Sequence, residues 1–147
     1  MGLIGPFSLW WIYFDNIDGA AIRASRSQGR IWLYQGWIYA HLPLVIGLAA
    51  SAVGVQYAVA SPQNLVLPPE KRWLICGAVA LVLLAVGSIQ LIIDASRNEI
   101  RKTRLAFRFG GAAAVLMLGA LGGMSPPLLL GLLAVVGGLQ VLQELLL

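Results

Sequence analysis

The sequence predicts an all-α fold: a polytopic transmembrane helical bundle of about five spans, N-terminus outside and C-terminus cytoplasmic, forming a single domain over 1–147. Three observations predict it. Of the 147 residues, 59% are hydrophobic and only 11% charged, where a water-soluble domain carries about a quarter charged. The apolar residues come in uncharged runs long enough to cross a hydrocarbon core of about 30 Å. The ten Lys and Arg residues gather between those runs instead of along one amphipathic face. That is the placement of topology signals, and it speaks against nucleic acid as a partner.

The first segment, 3–22, is uncharged as far as Phe14 and then meets Asp15 and Asp18, so it spans only if those acids face protein or water. The second span, 31–60, and the third, 73–95, meet the length requirement directly. The run from Leu105 to Leu147 is too long for one crossing. Met124-Ser125-Pro126-Pro127 divides it, because consecutive prolines remove backbone donors and push the preceding residue out of the helical region. Spans near 105–124 and 128–147 result.

Orientation follows from charge. The first connection holds Arg23, Arg26 and Arg30, and the third holds Arg97, Arg101, Lys102, Arg104 and Arg108, while the alternate side has only Lys71 and Arg72. The richer side faces the cytoplasm, and the inner (plasma) membrane is the expected location. No basic region precedes the first apolar stretch, and Pro6 stands where a myristoylation signal has Ser or Thr. Neither a signal peptide nor a lipid anchor is expected. Cys76, alone in an apolar run, reads as a small core residue.

Small residues recur at helical spacing. Gly36, Ala40, Pro43, Gly47, Ala50 and Gly54 make one thin stripe on the second span, Gly119 and Gly123 a GxxxG pair on the fourth, and Gly131, Ala134 and Gly138 a side of the fifth. Such stripes let backbones approach closely. They offer more packing surface than one small bundle uses, so a homo-oligomer or a subunit of a larger membrane complex is expected, with the lipid bilayer as the general partner.

Two polar features stand apart. Trp10-Trp11-Ile12-Tyr13-Phe14-Asp15 is followed by Asp18, and Trp11, Asp15 and Asp18 share a helical face. Either Trp10, Trp11 and Tyr13 form an aromatic belt whose acids meet Arg23 or Arg26 at the surface, or Asp15 is buried roughly 10 Å inside and needs a partner or a proton. His41 lies roughly 16 Å up its helix from Arg30, near the membrane midplane, with Tyr34, Trp37 and Val45 on its face. It reads either as a neutral hydrogen-bonded packing residue or as a relay or substrate group. Asp15 and His41 are expected at similar depth on neighbouring helices, interacting directly or through one water. Asp94, Glu99 and Glu144 read as solvated or paired, and Gln90, Gln140 and Gln143 as hydrogen bonds joining helices. The single histidine, with no Cys or carboxylate at ligand spacing, makes a metal or haem site unexpected. No nucleophile or phosphate-loop motif points to an enzyme, and the residues name no cofactor.

The segment WWIYFD, the arginine-bearing connection, and Tyr39-Ala40-His41-Leu42-Pro43-Leu44 with Gly47 and Ala52-Val53-Gly54 resemble the low-temperature-requirement protein A family of bacteria, most strongly over 7–60. The resemblance implies a polytopic helical inner-membrane protein, here the C-terminal part or a short form, with no established biochemical activity. It favours Trp10, Trp11, Asp15, Tyr39 and His41 over other polar or aromatic positions. Two function classes fit. One is a proton-coupled transporter or permease component using Asp15 and His41. The other is a structural or accessory subunit of a larger membrane complex, contacting pigment or lipid cofactors. If the basic connections set orientation, a reporter fused to the C-terminus reads as cytoplasmic; a periplasmic reading overturns the span assignment.

Overall fold

The computed structural model describes residues 31–97 and 102–146. The expected first span, 3–22, with Trp10, Trp11, Tyr13, Asp15 and Asp18, lies outside the described residues. Those described form four helices, each long and apolar enough to cross a membrane, and among them there is no strand. They are α1 (Ile31–Ala60), α2 (Pro69–Arg97), α3 (Lys102–Leu121) and α4 (Pro126–Leu146).

The helix ends follow local rules that shift three of the expected boundaries. Pro69 opens α2 four residues earlier than the apolar run does, since a first-turn proline loses no helical bond and Glu70 in that turn favours the positive end of the helix dipole. The first backbone bond runs from Arg72 N–H to the Pro68 carbonyl at 3.0 Å. Helix α3 stops at Leu121 because Gly122 and Gly123 take left-handed φ values of 71° and 68°, the conformation that ends helices at glycine. Gly123 therefore sits in the link rather than on the fourth span, with open space where a side chain would stand. Pro126 and Pro127 do not merely break the chain but form the first turn of α4. The Leu129 N–H reaches back to the Ser125 carbonyl at 3.0 Å. Pro43 lies inside α1, which continues unbroken to Ala60.

Helix α2 is the centre. In its most apolar stretch 61% of residues are buried, against 17% in α1, 28% in α3 and 22% in α4. Helices α1 and α3 pack along it, and α4 closes more loosely against α3 and α1. The expected thin stripe of α1 makes the first of these contacts. A Cβ on Gly47 would stand 2.8 Å from Val82 Cγ2 and 3.1 Å from the Ala78 carbonyl oxygen, and one on Gly54 2.7 Å from Ile75 Cγ1. Gly36 faces Ile92, and Ala40 packs on the same seam. Gly119 lets α3 approach Cys76 and Trp73 of α2.

Arg72, buried at the start of α2, donates from Nε to the Gly119 carbonyl at 2.8 Å. That carbonyl is among the last of α3 and has no helical donor. The Leu67 N–H bonds the Met124 carbonyl at 3.1 Å, so the two links at this end are tied together. Tyr39, Leu42, Val45, Leu121, Leu139 and Leu145 point outward and exposed. In lipid such a surface costs nothing, whereas in water it would drive association.

Gly54→Ala should destabilise the chain by roughly 1–3 kcal/mol, because Ile75 and its backbone must give way. Gly138→Ala, which meets open space, should change stability by no more than about 0.5 kcal/mol. Denaturation in detergent micelles checks the pair, and equal effects would refute the close approach of α1 to α2.

Candidate functional site

The sequence elements that carry charge inside the bundle meet at the end where α1 begins, α2 ends, α3 begins and α4 ends. Arg104 and Arg108 are one turn apart on α3 and share a face; Gln140, Gln143 and Glu144 share a face of α4. The antiparallel helices bring the two faces together. Arg108 Nη2 donates to Glu144 Oε1 at 2.7 Å, and Arg104 Nη1 stands 3.2 Å from Glu144 Oε2. One carboxylate thus bridges two guanidinium groups. The Arg108 side chain is 0% exposed and the Glu144 side chain 1%. Arg108 lies roughly 9 Å along α3 from Lys102.

Two glycines make the space. Gly87 of α2 lies against Arg108, where a Cβ would come 3.3 Å from Arg108 Cβ and 3.3 Å from the Phe109 ring. On α3, a Cβ at Gly111 would collide with the Gln140 amide nitrogen, which instead donates to the Phe107 carbonyl at 2.6 Å. Beyond Gly87, Gln90 and Asp94 follow at helical spacing on the same side of α2, and both are buried.

This polar belt is incompletely satisfied. Arg108 Nε and Nη1, both polar atoms of the Gln143 amide, the side-chain oxygens of Gln90 and Gln140, and Trp37 Nε1 are buried without a hydrogen-bond partner among the described residues. Each such group costs roughly 1–3 kcal/mol relative to one that is satisfied.

Of the residues singled out by sequence, His41 is half-buried. Its Nδ1–H donates to the Trp37 carbonyl at 2.7 Å, and its ring meets the Trp37 indole edge-on, with centroids 4.6 Å apart at 65°. Tyr39 is 71% exposed and points away from the bundle interior. Asp15 and Asp18 lie outside the described residues, so the expected Asp15–His41 contact does too. Gln140 joins two helices and Glu144 is paired, as expected, whereas Gln143, expected to join helices too, makes no such bond among the described residues. Arg108 corrects the sequence reading: counted among the basic residues of the third connection, it is the most enclosed charge among the described residues. A signal for it existed. Arg108 and Glu144 are opposite charges inside two consecutive predicted spans, and opposite charges in neighbouring membrane helices tend to pair. Among the described residues no group of acids, Cys and His could hold a metal.

The fold and belt define a polytopic helical membrane protein with an enclosed charge network. The family model described as bacterial low temperature requirement A protein matches residues 1–142, and the chain belongs to that family. The match extends well beyond the 7–60 stretch that carries the resemblance in sequence. No curated protein and no solved structure matches the chain.

Glu144→Leu leaves two guanidinium groups facing each other without their carboxylate, one of them sealed, and should cost roughly 3–5 kcal/mol. Arg108→Met combined with Glu144→Leu removes the buried pair as a unit and should recover most of that loss. Unfolding of single and double variants measures it; additive losses would refute the coupling.

Proposed function

We propose that the chain is a proton-coupled transporter or permease component of the bacterial inner membrane, with five spans, N-terminus outside and C-terminus cytoplasmic, and that its polar belt handles the transported species. The observation that supports this most is the enclosed Arg104–Glu144–Arg108 network. A buried ion pair is a poor way to gain stability, since well-packed apolar side chains of similar size do as well or better. Charges inside membrane helices line ion and substrate paths far more often than they serve packing. The packing between neighbouring helices places His41 of α1 near the level of Gly87 and so of Arg108, counting from Gly36 against Ile92 and Gly87 against Arg108. In this reading Asp15 and His41 continue the path that the belt begins.

The second reading is a structural or accessory subunit of a larger assembly. It is supported by the loose seating of α4, where Gly131 and Gly138 meet nothing among the described residues, and by the exposed Trp32 and Trp73, which offer apolar surface to a helix, lipid or pigment.

Reconstitution of the full chain into liposomes loaded with a pH-sensitive dye separates the two. Under an imposed membrane potential the wild-type chain should carry protons faster than protein-free vesicles, and Glu144→Gln, Asp15→Asn and His41→Ala should each lower that rate about tenfold or more. Wild-type flux no greater than that of empty vesicles would discard the transport reading in favour of the subunit.

A further inference from the structure

The belt has unused hydrogen-bonding capacity, and its charged part is all donor. Arg108 spends a single nitrogen, Nη2, on Glu144 and leaves Nε–H and Nη1–H unpaired; the Gln143 amide, on the buried side of α4 one residue before Glu144, is unpaired at both its atoms. Arg108 Nε–H and Nη1–H and the Gln143 Nε2–H are donors, the first two carrying guanidinium charge, while Gln143 Oε1 is an acceptor. The carboxylate that would attract a cation is already taken, with one Glu144 oxygen on Arg108 and the other on Arg104. Asp94 is engaged as well. The unspent charge is positive, on Arg108, and a negatively charged acceptor fits it.

The unpaired atoms have essentially no surface open to a water molecule, so a ligand reaches them only if the packing around them parts, and the α3–α4 seam is packed more loosely than those of α2. The seam is built for that. At the far end α4 is anchored: its preceding link is tied to the α1–α2 link through Leu67 and Met124, and α3 is held by Arg72. At the belt end its ties to α3 include the Glu144 ion pairs and the Gln140 bond to Phe107, all polar. A polar tie is exchangeable, because a ligand that offers the same hydrogen bonds replaces it at little net cost.

We propose that the α3–α4 seam is a binding site for a small oxyanion, a carboxylate group foremost, held by one unpaired guanidinium N–H of Arg108 together with the Gln143 Nε2–H, and closed over in the conformation described. Carboxylate oxygens match guanidinium donors in spacing and charge. The side-chain oxygens of Gln90 and Gln140, both buried and unpaired, add acceptors for a hydroxyl or ammonium group next to that carboxylate. The proposal takes the belt as the solute-handling site and names the class of solute.

The test is binding, measured apart from flux. The full chain in nanodiscs of zwitterionic lipid is titrated calorimetrically with sodium acetate against a sodium chloride background of equal ionic strength. Acetate should bind the wild-type chain. Gln143→Leu, which leaves both ion pairs in place, should weaken binding about tenfold, equivalent to roughly 1.4 kcal/mol, and Arg108→Lys should weaken it further. Gly138→Ala, whose added methyl meets nothing within 4 Å among the described residues, should leave it unchanged. No acetate binding to the wild-type chain, equal binding to wild type and Gln143→Leu, or chloride binding of the same strength would each overturn the oxyanion site. Binding that persists where proton flux is absent would discard transport and keep the site, so the two failures are distinguishable.

Discussion

A guanidinium group keeps its charge under any condition a cell provides, so a chain that encloses one within a membrane helix must bring a carboxylate to it. Arg108 imposes that constraint here, and the geometry of one end of the bundle follows from it. Glu144 has to arrive from α4, which requires α4 to run antiparallel to α3 and to end at the same side. The short Gly122–Ser125 link permits it, with two left-handed glycines reversing the chain and Pro126 starting the next helix. Gly87 lets α2 approach the base of the Arg108 side chain and the Phe109 ring, and Gly111 leaves room for the Gln140 amide.

The bundle therefore divides by chemistry. Toward the far end, Ala58, Ile75, Cys76, Val115 and Leu129 form a dry core shared by all four helices, held by backbone closeness at Gly54 and Gly119 and capped by Arg72. Such contacts have no solvent substitute and do not exchange. Toward the belt end, α4 is joined to α3 through ions and amides, several with unspent capacity. An apolar cluster around Ile89 and Ile93, with Val141 of α4 against it, continues the packing beside these polar ties.

Composition and periodicity by themselves determined the class of fold, the bilayer as solvent, the four described helices to within a few residues, and the α1 stripe. These were legible because bilayer thickness sets a length that an uncharged run must meet, and because the 3.6-residue repeat puts Gly36, Gly47 and Gly54 on one face whatever lies opposite. The WWIYFD segment and the region around His41 also carried the family resemblance. What only tertiary structure decided is partnership. The sequence could count Arg108 as a loop charge because its type and its nearness to Arg104 fit that role equally well; whether it is solvated or enclosed depends on α4, more than thirty residues away. The same holds for the glycines of α4, which share the spacing of the α1 stripe and yet meet nothing within the described residues. Local spacing fixes which side chains share a face, but the burial of a charge is set by what another helix places against that face, and that information is not local.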